Sequence, residues 1–133
     1  LDAGGADVPD GVDGRSVLDI VRNPKKAGWR DMIDIEHYSC YGPNSGYVAL
    51  TDGKYKYIWF YNKGEEQLFD LASDPYENRD LHDDAAQAPR LEVFRKRMAE
   101  HLRERGEEWV SPSGELQIVR NVPVHTPNFP KAE

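Results

Sequence analysis

Tyr47-Val48-Ala49-Leu50-Thr51-Asp52-Gly53-Lys54-Tyr55-Lys56-Tyr57-Ile58-Trp59-Phe60-Tyr61-Asn62-Lys63-Gly64-Glu65-Glu66-Gln67-Leu68-Phe69-Asp70-Leu71 decides how the rest of the chain is read. It predicts three β-strands in succession joined by two turns. Asp52-Gly53 between two aromatic-rich apolar runs is a hairpin signal, because a type I′ turn needs φ > 0 at both central residues. A two-residue loop there pairs Thr51 with Lys54, Leu50 with Tyr55 and Val48 with Tyr57. Side chains alternate along a strand, so Val48, Leu50, Tyr55, Tyr57 and Trp59 share one face, a core face. Ala49, Thr51, Lys54 and Lys56 share the other, with Tyr47, Ile58 and Phe60 at its apolar end.

Working outward, the chain has 133 residues, 38% of them hydrophobic, a net charge of −7 and a mean hydropathy of −0.78. That length suits one domain with a real core. The acidic balance argues against nucleic acid as a partner, since phosphate neutralisation needs clustered Lys and Arg. No run approaches the ~18 apolar residues of a membrane span. No export signal is visible, and the opening Leu1-Asp2-Ala3-Gly4-Gly5 reads as the interior of a longer protein. A single cysteine, Cys40, excludes an internal disulfide framework.

Residues 1–14 are rich in Gly, Asp and Pro and read as a linker. Ser16 is placed to cap a short helix carrying Val17, Leu18, Ile20 and Val21, stopped before Pro24. In residues 29–38, Ile33, Ile35 and His37 alternate with Asp34, Glu36 and Tyr38, which predicts a strand. A loop with Gly42-Pro43-Asn44 leads into the central stretch. Residues 72–86 carry turn chemistry with one apolar peg, Leu81. A helix then starts near Pro89, with Leu91, Phe94, Met98 and Leu102 on one stripe, and ends at Gly106. A weak strand is expected at 116–120, followed by an irregular, proline-containing tail. The expected fold is α+β: an antiparallel sheet of about four strands packed against one long C-terminal amphipathic helix, a two-layer sandwich. The helix covers the Val48/Leu50/Tyr57 face. Nothing in the sequence obviously covers Tyr47, Ile58 and Phe60, so that face is expected to pack against a larger missing domain.

Candidate chemistry is sparse. Cys40 has no base placed beside it, and a loop cysteine without a role is the preferred reading. His37, His82, His101 and His125 lack zinc spacings, so no metal site is expected. His101 reads as solvated on the polar edge of the helix, and His82 and His125 as loop and tail residues. Asp80, Asp83 and Asp84 have no calcium-loop spacing. His37 stands apart, ending a strand after Glu36 and before Tyr38, Tyr41 and Asn44. Together these could hydrogen-bond a polar ligand, although a strand-end histidine held by the backbone is the plainer reading. No complete active site is present, and the residues alone describe an accessory domain.

Three stretches occur in order: Lys54-Tyr55-Lys56-Tyr57-Ile58-Trp59, Gly64-Glu65-Glu66-Gln67-Leu68-Phe69-Asp70-Leu71 and Asp74-Pro75-Tyr76-Glu77-Asn78. With Asp80-Leu81 and the helix that follows, they resemble the C-terminal subdomain of type I, arylsulfatase-like sulfatases of the alkaline phosphatase superfamily. Gly11-Val12-Asp13-Gly14-Arg15-Ser16-Val17-Leu18 is similar to the segment that closes the catalytic domain of that family. Ile35-Glu36-His37, Arg105-Gly106-Glu107-Glu108-Trp109 and Gly114-Glu115-Leu116 are similar to one arylsulfatase branch. The resemblance divides the chain into residues 1–28, a linker and short helix from the end of a catalytic domain; 29–110, the α+β subdomain; and 111–133, the tail.

The resemblance implies a parent that hydrolyses aryl or carbohydrate sulfate monoesters with a formylglycine and a bound calcium ion. Cys40-Tyr41-Gly42-Pro43-Asn44 departs from the formylglycine motif Cys/Ser-x-Pro-x-Arg, so no catalytic or metal residue is expected in this chain. It further implies that this piece, inactive alone, completes the substrate pocket through His37 and Glu36, supported by Tyr41 and Asn44. Tyr47, Ile58 and Phe60 would then pack on the catalytic domain of the same parent. Export to the periplasm or medium is suggested by the resemblance only. The alternatives are a non-enzymatic protein- or glycan-binding module, or the same subdomain in a phosphodiesterase or phosphonate hydrolase of the superfamily.

Overall fold

Strict alternation of apolar and polar side chains builds the central sheet of this computed structural model, which describes residues 1–12, 14–25, 30–39 and 44–120. Four antiparallel strands lie side by side in chain order: β1 (Ile33–His37), β2 (Tyr47–Thr51), β3 (Tyr55–Phe60) and β4 (Glu65–Asp70). A helix, α2 (Ala88–Leu102), follows them. This is the expected α+β arrangement of sheet and C-terminal helix. The strand expected over 29–38 is limited to five residues.

The β2–β3 register differs from the expectation. Leu50 pairs with Tyr57 and Val48 with Trp59, which makes Gly53 and Lys54 the centre of the turn. A type I′ turn would put Asp52 at φ > 0, yet within this turn only Gly53 has positive φ, at 83°. Glycine at the first central position suits a type II′ turn. Asp52 then works as a clamp, its Oδ1 accepting from the N–H groups of Lys54 (2.9 Å) and Tyr55 (2.7 Å). Because each pairing moves by two residues, every side chain keeps its face.

Val48, Leu50, Tyr55, Tyr57 and Trp59 therefore join Leu68, Leu91, Phe94, Met98 and Leu102 in one buried cluster between sheet and helix. Tyr57, Leu68, Met98 and Leu102 are wholly buried. The helical stripe read from the sequence is the buried stripe of α2, and Glu92 and Lys96 pair on its outer side at 3.5 Å. The residues that carry the family resemblance prove to be scaffold. Asp74 accepts from the Arg79 N–H (2.8 Å) and from Asn78 Nδ2. Glu77, at φ 56°, reaches back to Lys56 in an ion pair. Asp80 accepts from the N–H groups of Leu68 and His82, which sets the Leu81 peg in the core.

The weak strand expected at 116–120 does not form. Leu116 makes one isolated bridge to Val110, the Gln117 N–H donates to the Trp109 carbonyl, and the Val119 N–H donates to the Tyr61 carbonyl. The segment divides its hydrogen bonds between two partners, so no ladder can propagate.

Residues Leu1–Asp31 form a separate compact unit from Met32–Glu133. Within it α1 (Leu18–Arg22) is short, with the Leu18 N–H donating to Ser16 Oγ at 3.3 Å, and Val17 and Val21 are exposed. No helix among the described residues is long and apolar enough to cross a membrane. Trp29, Cys40, Tyr41, Pro123, His125, Pro127 and Pro130 lie outside the described residues.

Candidate functional site: the end of an edge strand

The last residue of β1, His37, faces Tyr47 of β2, and their rings stack with centroids 5.4 Å apart and planes at 22°. Tyr47 in turn meets Phe60 of β3 edge-on at 5.8 Å. Histidine, tyrosine and phenylalanine thus form one row across three strands, on the sheet face opposite α2. Behind the row, Ala49, Ile58 and Phe69 are buried, while Tyr47 and Phe60 remain half-exposed. On the same face Ile33 and Ile35 are 45% and 44% exposed. Two sets of residues read separately from the sequence, the ligand-side His37 and the docking residues Tyr47, Ile58 and Phe60, share this face.

Glu36 does not join them. As the neighbour of His37 on a pleated strand it points to the opposite face, toward the C-terminal end of the helical layer. There it makes an ion pair with Arg105 and lies 3.9 Å from His101 Nε2. Arg105 also covers the Trp109 ring at 4.9 Å. A single site holding both the Glu36 and His37 side chains is therefore corrected to two faces of one strand. His101 is not simply solvated, as the sequence suggested. Its i,i+4 spacing from Arg105 was legible, but the link to Glu36 needed tertiary structure. Asn44 is exposed in the turn before β2. Ser39 is fully buried, donating to Asn62 Oδ1 at 3.1 Å.

A cleft of about 460 Å³ opens between β3, β4, the outer side of α2 and the 113–116 loop. Its charges are largely consumed internally. Glu66 is bound by the Arg95 guanidinium and accepts from the Tyr57 hydroxyl at 2.9 Å. Burial pulls the Glu66 carboxyl up, but the bonds from Arg95 and Tyr57 outweigh it and hold the group below its ordinary value. Burial and the adjacent carboxylate push the Tyr57 hydroxyl well above its usual range. A depressed folded pKa contributes stability that is present above the unfolded value of 4.5 and is lost as pH falls through the lower folded value. Glu66→Gln is therefore expected to flatten the fall in melting temperature as pH drops below 4.5. Thermal melts across that window check this, and parallel curves for the two proteins would contradict it.

The described residues do not fit the calcium that the family resemblance implies for the parent. Among the described residues one group of three potential ligands converges, Asp34, Glu36 and His101. Two carboxylates and a nitrogen are not the six to eight oxygens that calcium takes.

Comparison with known proteins follows the same lines. The family model for N-sulphoglucosamine sulphohydrolase, C-terminal, matches residues 1–105. An arylsulfatase of Clostridium perfringens (strain 13 / Type A) is 32% identical over 126 residues, covering 95% of this chain and 25% of its own. The chain thus spans about a quarter of the length of that curated relative. A protein solved with its substrate D-glucosamine-2-N,6-O-disulfate aligns with a TM-score of 0.67 at 24% identity, over 78% of this chain and 22% of that one. A phosphonate monoester hydrolase from Silicibacter pomeroyi aligns with a TM-score of 0.62 at 20% identity, over 91% and 28%. At those identities the structural likeness speaks for the fold alone. The family match covers most of the chain, and the chain belongs to the sulfatases as a C-terminal domain of the N-sulphoglucosamine sulphohydrolase family.

Proposed function

We propose that this chain is the C-terminal part of a sulfuric ester hydrolase acting on carbohydrate or aryl sulfates, and that it completes the substrate pocket rather than performing the chemistry. The family match over residues 1–105 carries this reading. The formylglycine and calcium of the parent then belong to the remainder of the longer chain. The apolar face with Ile33, Ile35, Tyr47 and Phe60 docks on that remainder, consistent with the exposure of Ile33 and Ile35, whereas Ile58, expected to dock with them, is buried within this chain beside Ala49 and Phe69. His37, at the strand end and braced by Tyr47, is the substrate-side group, and Asn44, exposed in the turn before β2, supports it. Glu36 acts from the opposite face by fixing the strand.

A hydrogen bond to a charged group contributes about 1.5–3 kcal/mol. His37→Ala in the full-length protein is therefore expected to lower kcat/KM on its sulfated substrate by about 10- to 100-fold, with thermal stability little changed. An unchanged kcat/KM on sulfated sugars and aryl sulfates alike would remove His37 from the pocket. The fold is shared with phosphonate monoester hydrolases, and the second reading is the same subdomain serving a phosphonate ester. Turnover of an aryl phosphonate above that of the matching sulfate would favour it.

A further inference from the structure

We infer that Asp34, Glu36 and His101 form a binding site for a divalent first-row transition metal ion, with zinc the ion that fits best. Asp34 and Glu36 stand two residues apart on edge strand β1, opposite Leu50 and Val48. They therefore share the face that β2 and β3 devote to the apolar core. Carboxylates there are not explained by packing, and both are exposed at the margin of the sheet. His101, one residue before the end of α2, brings a nitrogen to the same place from 65 positions away in sequence. One ligand atom from each of the three lies within 4.8 Å of the others.

The second observation concerns that nitrogen. His101 Nε2 is shielded from solvent and has no hydrogen-bond partner. Glu36 Oε1, at 3.9 Å, is too far to serve as one. A shielded nitrogen that faces two carboxylates without a hydrogen bond is one that a Lewis acid between them would satisfy. One nitrogen and two anionic oxygens suit zinc, with water completing a tetrahedron. Bonds of about 2.0–2.2 Å place ligands on one zinc ion roughly 3.4 Å apart. Side-chain rotations on an exposed strand and a terminal helical turn can close that difference. Calcium is disfavoured by the nitrogen and by the low oxygen count.

Arg105 holds Glu36 when no ion is bound. A carboxylate has a second oxygen to offer, and the guanidinium already has a resting place over Trp109. The ion would bolt β1, the strand that ends in His37, to the end of α2. This assignment is independent of which ester the parent hydrolyses.

The test uses the full-length protein that carries this chain, stripped with chelator, resupplied with saturating calcium and titrated with Zn²⁺ against a chromogenic competitor. Wild type is expected to take up one zinc equivalent at micromolar concentration that Asp34→Asn and His101→Ala each bind at least tenfold more weakly, circular dichroism showing all three folded. Asp34 is exposed, so its isosteric variant keeps the fold even if His101→Ala does not. Zinc uptake by Asp34→Asn equal to that of wild type overturns the site, as does undiminished uptake by a folded His101→Ala.

Discussion

Phe94→Ala is expected to destabilise the domain by about 3–5 kcal/mol, the range for truncating a buried phenylalanine. Phe94 is 3% exposed and lies in the middle of α2, its ring 6.1 Å from the ring of the wholly buried Tyr57. Truncation removes the group through which the helix grips the centre of the sheet, and the flanking Leu91 and Met98 belong to the same helix and cannot collapse far into the gap. In a domain of this size the loss corresponds to a fall of about 10–20 °C in melting temperature. Val93, one position earlier and 50% exposed, is the control. Val93→Ala should shift stability by less than about 0.5 kcal/mol. Chemical denaturation of the two variants checks the pair, and equal costs would mean that the helix docks through a different face.

Gly46→Ala is the second large effect, and its cause is excess volume instead of a cavity. A Cβ on Gly46 would fall inside the contact distance of the Tyr61 hydroxyl and ring, and 2.7 Å from Asn62 Oδ1. Neither neighbour has room to retreat. Tyr61 is 2% exposed with its ring 4.9 Å from that of Trp109, and Asn62 is held by Ser39 on one side and the Val119 carbonyl on the other. Overpacking at such a site costs about 1–3 kcal/mol, and the rigid surroundings place this case at the upper end. Gly53→Ala offers a contrast of mechanism, since Gly53 has open space around its Cα but a φ of 83°. A melting temperature for Gly46→Ala within a degree of wild type would show that the Tyr61 ring is free to move.

Both positions lie in the scaffold that presents the His37 row. Gly46 immediately precedes β2 and Tyr61 immediately follows β3, so the contact between them sets the end of the sheet where Tyr47 and Phe60 stand. Loss at Gly46 should therefore also loosen the strand end proposed to face substrate.

Much of the fold was legible because its period is local. Alternation along residues 47–60 sorts every side chain to a face whatever the register, which is why a turn centred one residue later left the core assignment intact. The steps from Leu91 to Leu102 mark the helical stripe in the same way, since 3.6 residues per turn returns them to one side. Alternation also carried the news that Glu36 and His37 oppose each other, although their adjacency invited reading them as one site. The tertiary structure alone decided what is set by contacts between distant segments. The turn type depended on the backbone that Asp52 clamps, and the 116–120 segment lost its strand by sharing hydrogen bonds between Trp109 and Tyr61. Glu36 found His101 and Arg105 across more than sixty residues, a meeting set by where α2 ends over the edge of the sheet. Local sequence determines periodicity and therefore faces; convergence depends on the packing of whole elements, which no neighbouring residue encodes.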